Sequence, residues 1–110
     1  MLIGILGGDA KEESEFKALD DKLNELIEAS QCFLFNAAVL SKDPSNCTLG
    51  CVWASRRGCP VRYFDDINII LRKADYCIFV LNKKREDLEV KQALMRYKMS
   101  GKHGSVIRIG

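Results

Sequence analysis

Histidine is almost missing from this chain: His103 is the only one, and it lies near the far end. The five cysteines, Cys32, Cys47, Cys51, Cys59 and Cys77, are odd in number and include no CxxC pair. Cys47, Cys51 and Cys59 can be drawn with His103 as a zinc site, but their spacing matches no standard ligand pattern, so no metal is expected. The odd count and the lack of a secretion signal argue against a disulfide framework, and a reducing cytoplasm is the simpler expectation. No apolar run approaches the roughly 18 residues of a membrane span, and Met1–Gly8 lacks the basic region and cleavage site of a signal peptide. Charge of one sign is lacking too. The net charge is +2, with acids and bases interspersed, whereas a nucleic-acid module shows a basic stripe. The dinucleotide fingerprint G-x-G-x-x-G and the P-loop are both absent, which disfavours classical NAD binding and P-loop ATP hydrolysis. No cofactor is expected.

What is present is ordinary globular composition in 110 residues, enough for one domain spanning residues 1–110. Leu2–Leu6 is a short apolar run ending in Gly7-Gly8-Asp9, a buried strand followed by a tight turn. Phe16, Leu19, Leu23, Leu26 and Ile27 recur at helical spacing. Asp9 with Glu12 resembles a capping pair, and Glu12, Glu13 and Glu15 suit the positive end of the helix dipole. Cys32–Phe35 reads as the second strand and Asn36–Cys47 as a loop, with Pro44 among its breakers. A second helix runs from about Thr48 to Arg57 and stops at Gly58, ahead of Pro60. Val61–Phe64 is a third strand. Asp65 or Asp66 caps a short helix with Ile67, Ile70 and Leu71. Tyr76–Leu81 is apolar without alternation, as in a strand covered on both faces. Val90, Ala93, Leu94 and Tyr97 mark a last helix, stopped by Gly101, and Val106, Ile107 and Ile109 a last edge strand.

This alternation predicts a single Rossmann-like three-layer α/β domain with a five-stranded, mostly parallel sheet. The order 3-2-1-4-5 is favoured because it puts the two most apolar strands in the middle. Such sheets bind ligands at the strands' carboxyl ends, where strand order reverses, here between the first and fourth strands. The candidate ligand-binding residues are Gly7, Gly8 and Asp9 in the first turn, Asn36, Asn46 and Thr48 after the second strand, and Asn82, Lys83, Lys84 and Arg85 after the fourth. The glycines let a ligand approach backbone N–H groups at a helix start, Asp9 could accept from a ribose hydroxyl, and the cations could hold a phosphate. Each has a plainer reading as turn, cap or solvated loop. Trp53 reads as sheet packing rather than a stacking platform, and Arg56-Arg57 as dipole complement.

Val52-Trp53-Ala54-Ser55-Arg56-Arg57-Gly58-Cys59-Pro60-Val61 resembles the "wA…G.PV" stretch of the SLOG superfamily, Rossmann-like domains related to the LOG proteins and the DNA-processing protein fold. Ala74–Val80 resembles their "aD.vi.f" strand, and Ile3–Asp9 their first strand and turn. Glu89 with Ala93 has the spacing of the "E…A" helix in LOG-type and nucleoside deoxyribosyltransferase-like proteins. The resemblance implies a nucleotide-like small molecule as partner and Glu89 as a catalytic nucleophile or base toward an anomeric carbon. The family's glycine-rich entry to the second helix is replaced here by Asn36-Ala37-Ala38, and its "GGxGT" by Lys83–Leu88. Both changes remove glycines that would let backbone amides cradle a phosphate, and they argue against LOG-type turnover.

The leading expectation is therefore a non-catalytic binding or sensor domain for a nucleotide or nucleoside derivative. An N-glycosidic-bond hydrolase or transferase using Glu89 comes second. A protein-interaction module without ligand comes third, with a homodimer left open. A membrane partner is not expected.

Overall fold

The computed structural model describes residues 1–9, 11–30, 35–40, 48–84 and 87–109. Strands and helices alternate along the chain: β1 (Leu2–Gly7), α1 (Glu13–Ser30), β2 (Asn36–Leu40), α2 (Leu49–Arg57), β3 (Val61–Phe64), α3 (Ile67–Lys73), β4 (Tyr76–Asn82), α4 (Leu88–Met99) and β5 (Gly104–Ile109). The five strands form one sheet in the order β3-β2-β1-β4-β5. All four pairings are parallel, with Ile3 opposite Tyr76 and Gly7 opposite Val80 across the central pair. The Rossmann-like α/β architecture and the strand order read from the sequence are those observed.

Two cores, one on each face of the sheet, follow from this order. On one face Leu19 and Leu23 of α1 and Leu49, Trp53 and Ala54 of α2 pack over Ile3, Ile5, Ile78 and Val80. On the other, Ile67 and Ile70 of α3 and Val90, Ala93, Leu94 and Tyr97 of α4 pack over Leu6, Cys77 and Phe79. The central strands β1 and β4 are thus covered twice, which is why their side chains are apolar without alternation.

One element lies elsewhere than expected. The second strand is Asn36–Leu40, not Cys32–Phe35. Phe35 precedes it, Cys32–Leu34 lie outside the described residues, and of the expected Asn36–Cys47 loop residues 41–47 do as well. The apolar run was the misleading signal. Ala37, Ala38 and Val39 are fully buried between the helical layers, where small side chains allow close approach. Phe35 stacks on Trp53 with ring centroids 6.0 Å apart.

The helices end where local chemistry ends them. Thr48 caps α2 by accepting from the Cys51 amide at 3.3 Å, and Gly58 closes it in the left-handed region at φ 67°. Asp66, one of the two expected caps, serves α3 through the Asn68 amide.

One charged cluster ties α1 to α2. Asp20 accepts from the Trp53 indole Nε1 at 2.9 Å and from Arg57 Nε at 2.8 Å, and a second Arg57 nitrogen bonds its other oxygen. Arg56 lies over the Phe16 ring, 4.4 Å from its centroid, and pairs with Glu13. The two arginines read as dipole complements are therefore also cross-links between helices. The Arg57 hydrogen bond holds the Asp20 carboxyl below the usual carboxylate range. A carboxyl depressed in the folded state adds stability above its unfolded value near pH 4 and loses it as pH falls. Asp20→Asn is expected to lower the thermal midpoint at neutral pH by about 4–8 °C, the shift roughly 1 kcal/mol gives in a domain this size. It should also flatten the loss of stability below about pH 4. Thermal unfolding followed by circular dichroism at pH 7 and pH 3 checks both.

Candidate functional site

The carboxyl ends of β1 and β4 meet as the strand order requires, but the chain's own side chains bridge the seam between them. Glu15, in the first turn of α1, is fully buried. It accepts from the backbone N–H of Asp9 and, at 3.0 Å, from Asn82 Nδ2 at the end of β4. The Asn82 Oδ1 accepts from the Lys84 amide at 2.9 Å. One carboxylate thus pins the β1 turn to the β4 turn. Asp9 caps its own turn, its Oδ1 accepting from the Lys11 amide at 2.9 Å. The capping partner expected at Glu12 is supplied by Glu15, one helical turn further in.

Beside this bridge a cleft of about 200 Å³ opens. Gly7 and Gly8 line it together with Leu40 at the end of β2, Thr48 at the start of α2, Ile67 of α3, and Asp87, Glu89 and Val90 at the start of α4. Glu89, which a solvent-facing helix would have left as a plain surface acid, is half-buried in this wall. Asp87 caps α4 through the Val90 amide at 3.2 Å. Among the described residues the lining includes two carboxylates and no lysine or arginine. Lys83 and Lys84 are exposed on the turn after β4, and Lys83 extends the sheet by donating to the Ile109 carbonyl at 2.9 Å.

Gly7 and Gly8 are required by packing whether or not a ligand comes. Both have positive φ, 82° and 88°. A Cβ on Gly7 would meet the Val80 carbonyl oxygen at 2.4 Å, and one on Gly8 would meet the Leu49 side chain at 2.4 Å.

Of the residues expected to share a ligand, the cleft brings together Gly7, Gly8, Thr48 and Glu89. Asp9 and Asn82 are engaged in the bridge next to it. Asn46 and Arg85 lie outside the described residues. Asn36 is a correction: it starts β2 and therefore sits at the amino edge of the sheet, paired opposite Leu2 and donating its amide to the Met1 carbonyl at 2.9 Å. Moving the strand four residues along the chain moved Asn36 to the other edge.

That other edge carries a larger cleft, about 530 Å³, lined by Phe35, Asn36, Trp53, Arg57 and Cys59 among others. Three of its polar groups are engaged internally. The Trp53 indole and the Arg57 guanidinium both bond Asp20, and the Cys59 thiol donates to the Phe35 carbonyl at 3.4 Å. The Trp53 ring is buried against Phe35 and has no face left for a base. We place the candidate site at the carboxyl edge, where the strand order reverses and Thr48, Asp87 and Glu89 line the cleft.

Burial pushes the Cys77 thiol up to about 11 and raises that of Cys59. A thiol in either place stays protonated at neutral pH and is a poor nucleophile. Cys47, the cysteine expected near a helix start, lies outside the described residues.

Glu15 is the residue that sequence reasoning missed. A signal existed: Glu15, Leu19 and Leu23 fall at four-residue steps, which puts the acid on the same helix face as the two buried leucines. Comparison with protein-family models, with curated proteins and with solved structures finds no match to this chain.

Removing the bridge tests its weight. Glu15→Ala leaves the half-buried Asp9 amide and Asn82 side chain without this acceptor, which costs at most the roughly 1–3 kcal/mol of a fully buried donor left unpaired. The expected result is a clear loss in chemical denaturation, with faster hydrogen exchange at the Asp9 amide. Gly8→Ala is expected to destabilise as well, by clash and strain, without any ligand being present.

Proposed function

We propose that this chain binds the sugar end of a nucleoside-type small molecule in the carboxyl-edge cleft, as a binding or sensor domain without turnover. One observation carries the reading: a cleft at the strands' carboxyl ends whose described polar lining is Thr48, Asp87 and Glu89. Carboxylates accept hydrogen bonds from ribose hydroxyls and repel phosphate oxygens. At about 200 Å³ the cleft suits a sugar-sized group, below the roughly 300 Å³ at which drug-sized sites begin. The SLOG-like residues support the same ligand class by analogy only. The absence of a cation from the described lining favours a nucleoside over its phosphate.

The half-buried position of Glu89 in the cleft favours a second reading, cleavage or transfer at an N-glycosidic bond. Glu89 would act there as nucleophile or base toward the anomeric carbon. One carboxylate without an identified acid for the leaving base is an incomplete machine, so binding is the stronger conclusion.

The test is a thermal-shift panel of nucleosides, their 5′-phosphates and ADP-ribose derivatives, followed by calorimetry on any hit. A ligand at a hundred times its dissociation constant adds about 2.7 kcal/mol. Nucleosides should shift the midpoint more than their phosphates, and Glu89→Leu should weaken binding tenfold or more with little change in the unliganded midpoint. Release of free base by the wild type but not by Glu89→Gln would establish the enzymatic reading. If no member of the panel shifts the midpoint at millimolar concentration, both readings fall.

A further inference from the structure

Charge is segregated between the two helical layers. Helix α1 carries six acids against two bases. On the far side of the sheet, α3 and the part of α4 beyond Glu89 carry Arg72, Lys73, Lys91, Arg96 and Lys98 with no acid among them.

The basic layer has a shape as well as a sign. A groove of about 510 Å³ runs between α3 and α4, with Leu71 and Tyr97 in its wall and Arg72, Arg96 and Lys102 around it. Lys102 is held there by donating to the Leu71 and Arg72 carbonyls, at 2.9 Å each, which closes the end of α3. Among the described residues none of the three cations forms an ion pair with a carboxylate. The one acid in the lining, Asp66, already caps α3. On the outer face of α4, beside the groove rather than in its lining, Met95 and Met99 are 66% and 88% exposed. At three- and four-residue helical spacing, Met99 stands beside both Arg96 and Met95. Unbranched thioether side chains mould to irregular partners.

On the outer surface of α1, Asp21, Glu25 and Glu28 recur at four- and three-residue steps and so form one exposed acidic ridge. Glu25 is shared with Lys22 at 3.7 Å. The acids of α1 that α2 neutralises, Glu13 with Arg56 and Asp20 with Arg57, are not in this ridge.

We propose that the chain associates with itself head to tail, the acidic ridge of α1 in one copy docking into the basic α3–α4 groove of the next. The groove lies between two helices, and cations without a carboxylate partner line it. A helix bearing carboxylates fits it better than a flat bilayer does. The acidic helix on the opposite face of the same molecule supplies that chemistry. Because ridge and groove lie on opposite sides of the sheet, the contact is heterologous: a pair of copies still has one ridge and one groove free, and growth continues unless a ring closes.

The experiment is sedimentation velocity of the full chain across a concentration series at about 0.01 M and about 1 M salt, between which the screening length falls from roughly 30 Å to roughly 3 Å. The expected result is concentration-dependent oligomers at low salt and monomers at high salt. Two variants give the decisive arm. Arg72→Gln with Arg96→Gln spoils the groove and keeps the ridge, whereas Asp21→Asn with Glu28→Gln spoils the ridge and keeps the groove. Each alone should be monomeric, and an equal mixture should form one-to-one dimers that do not grow. Complementation of this kind also shows that both variants are folded. A wild type that stays monomeric at low salt overturns the proposal, and if that monomer is retained on heparin the groove serves a polyanion instead. A dimer that survives both charge variants but dissociates on Met95→Glu also overturns it, since that behaviour marks a symmetric apolar contact through α4.

Discussion

The two central strands, β1 and β4, are covered by helices on both faces, and most of the molecule follows from that constraint. A strand buried twice can carry no polar side chain along its length, so polar chemistry is forced to its ends. At the carboxyl end the constraint produces Glu15, a fully buried carboxylate accepting from the Asp9 amide and the Asn82 side chain. A buried acid persists only where donors surround it, and the two turns that leave the central strands supply them. The same turns position Gly7 and Gly8 against Val80 and Leu49. The cleft is therefore framed by parts that the packing has already immobilised, which lowers the ordering cost of binding a small molecule there.

The lateral layers are held by different means. On one face Asp20 collects Trp53 and Arg57, and Arg56 reaches Glu13, so the cations of α2 are neutralised by the acids of α1. On the other face α4 is held to the sheet by apolar contacts and a phenol: Tyr97 packs on Phe79 of β4 with ring centroids 5.5 Å apart and donates to the His103 carbonyl at 2.6 Å. Charges are left over on that side, and with the outer acids of α1 they make the molecule a short electrostatic rod across its sheet. The binding proposed at the carboxyl edge and the association proposed through the helical faces would use different surfaces, so neither would block the other.

The fold was legible in the sequence, and the site only in part. Alternation of apolar runs with amphipathic stretches fixes parallel pairing, and the unalternating runs at Leu2–Leu6 and Tyr76–Leu81 mark the centre of the sheet. These signals are local and many residues long, so an error at one position does not spoil them. The second strand shows their limit. Cys32–Phe35 is more apolar than Asn36–Leu40, yet the strand is the segment whose small residues fit beneath the helices. Hydrophobicity reports burial, whereas pairing depends on what lies above and below.

By itself the sequence determined the layers and favoured the observed strand order, because the burial of two strands puts them in the middle of the sheet. Only the tertiary structure decided which side chains face the cleft. Glu89 enters its wall, Asn36 is carried to the opposite edge, Asn82 is tied to Glu15, and Trp53 loses its free face to Phe35. Each of these outcomes is set by a partner distant in sequence, such as the 67 positions between Glu15 and Asn82. Local pattern holds no information about a contact of that range.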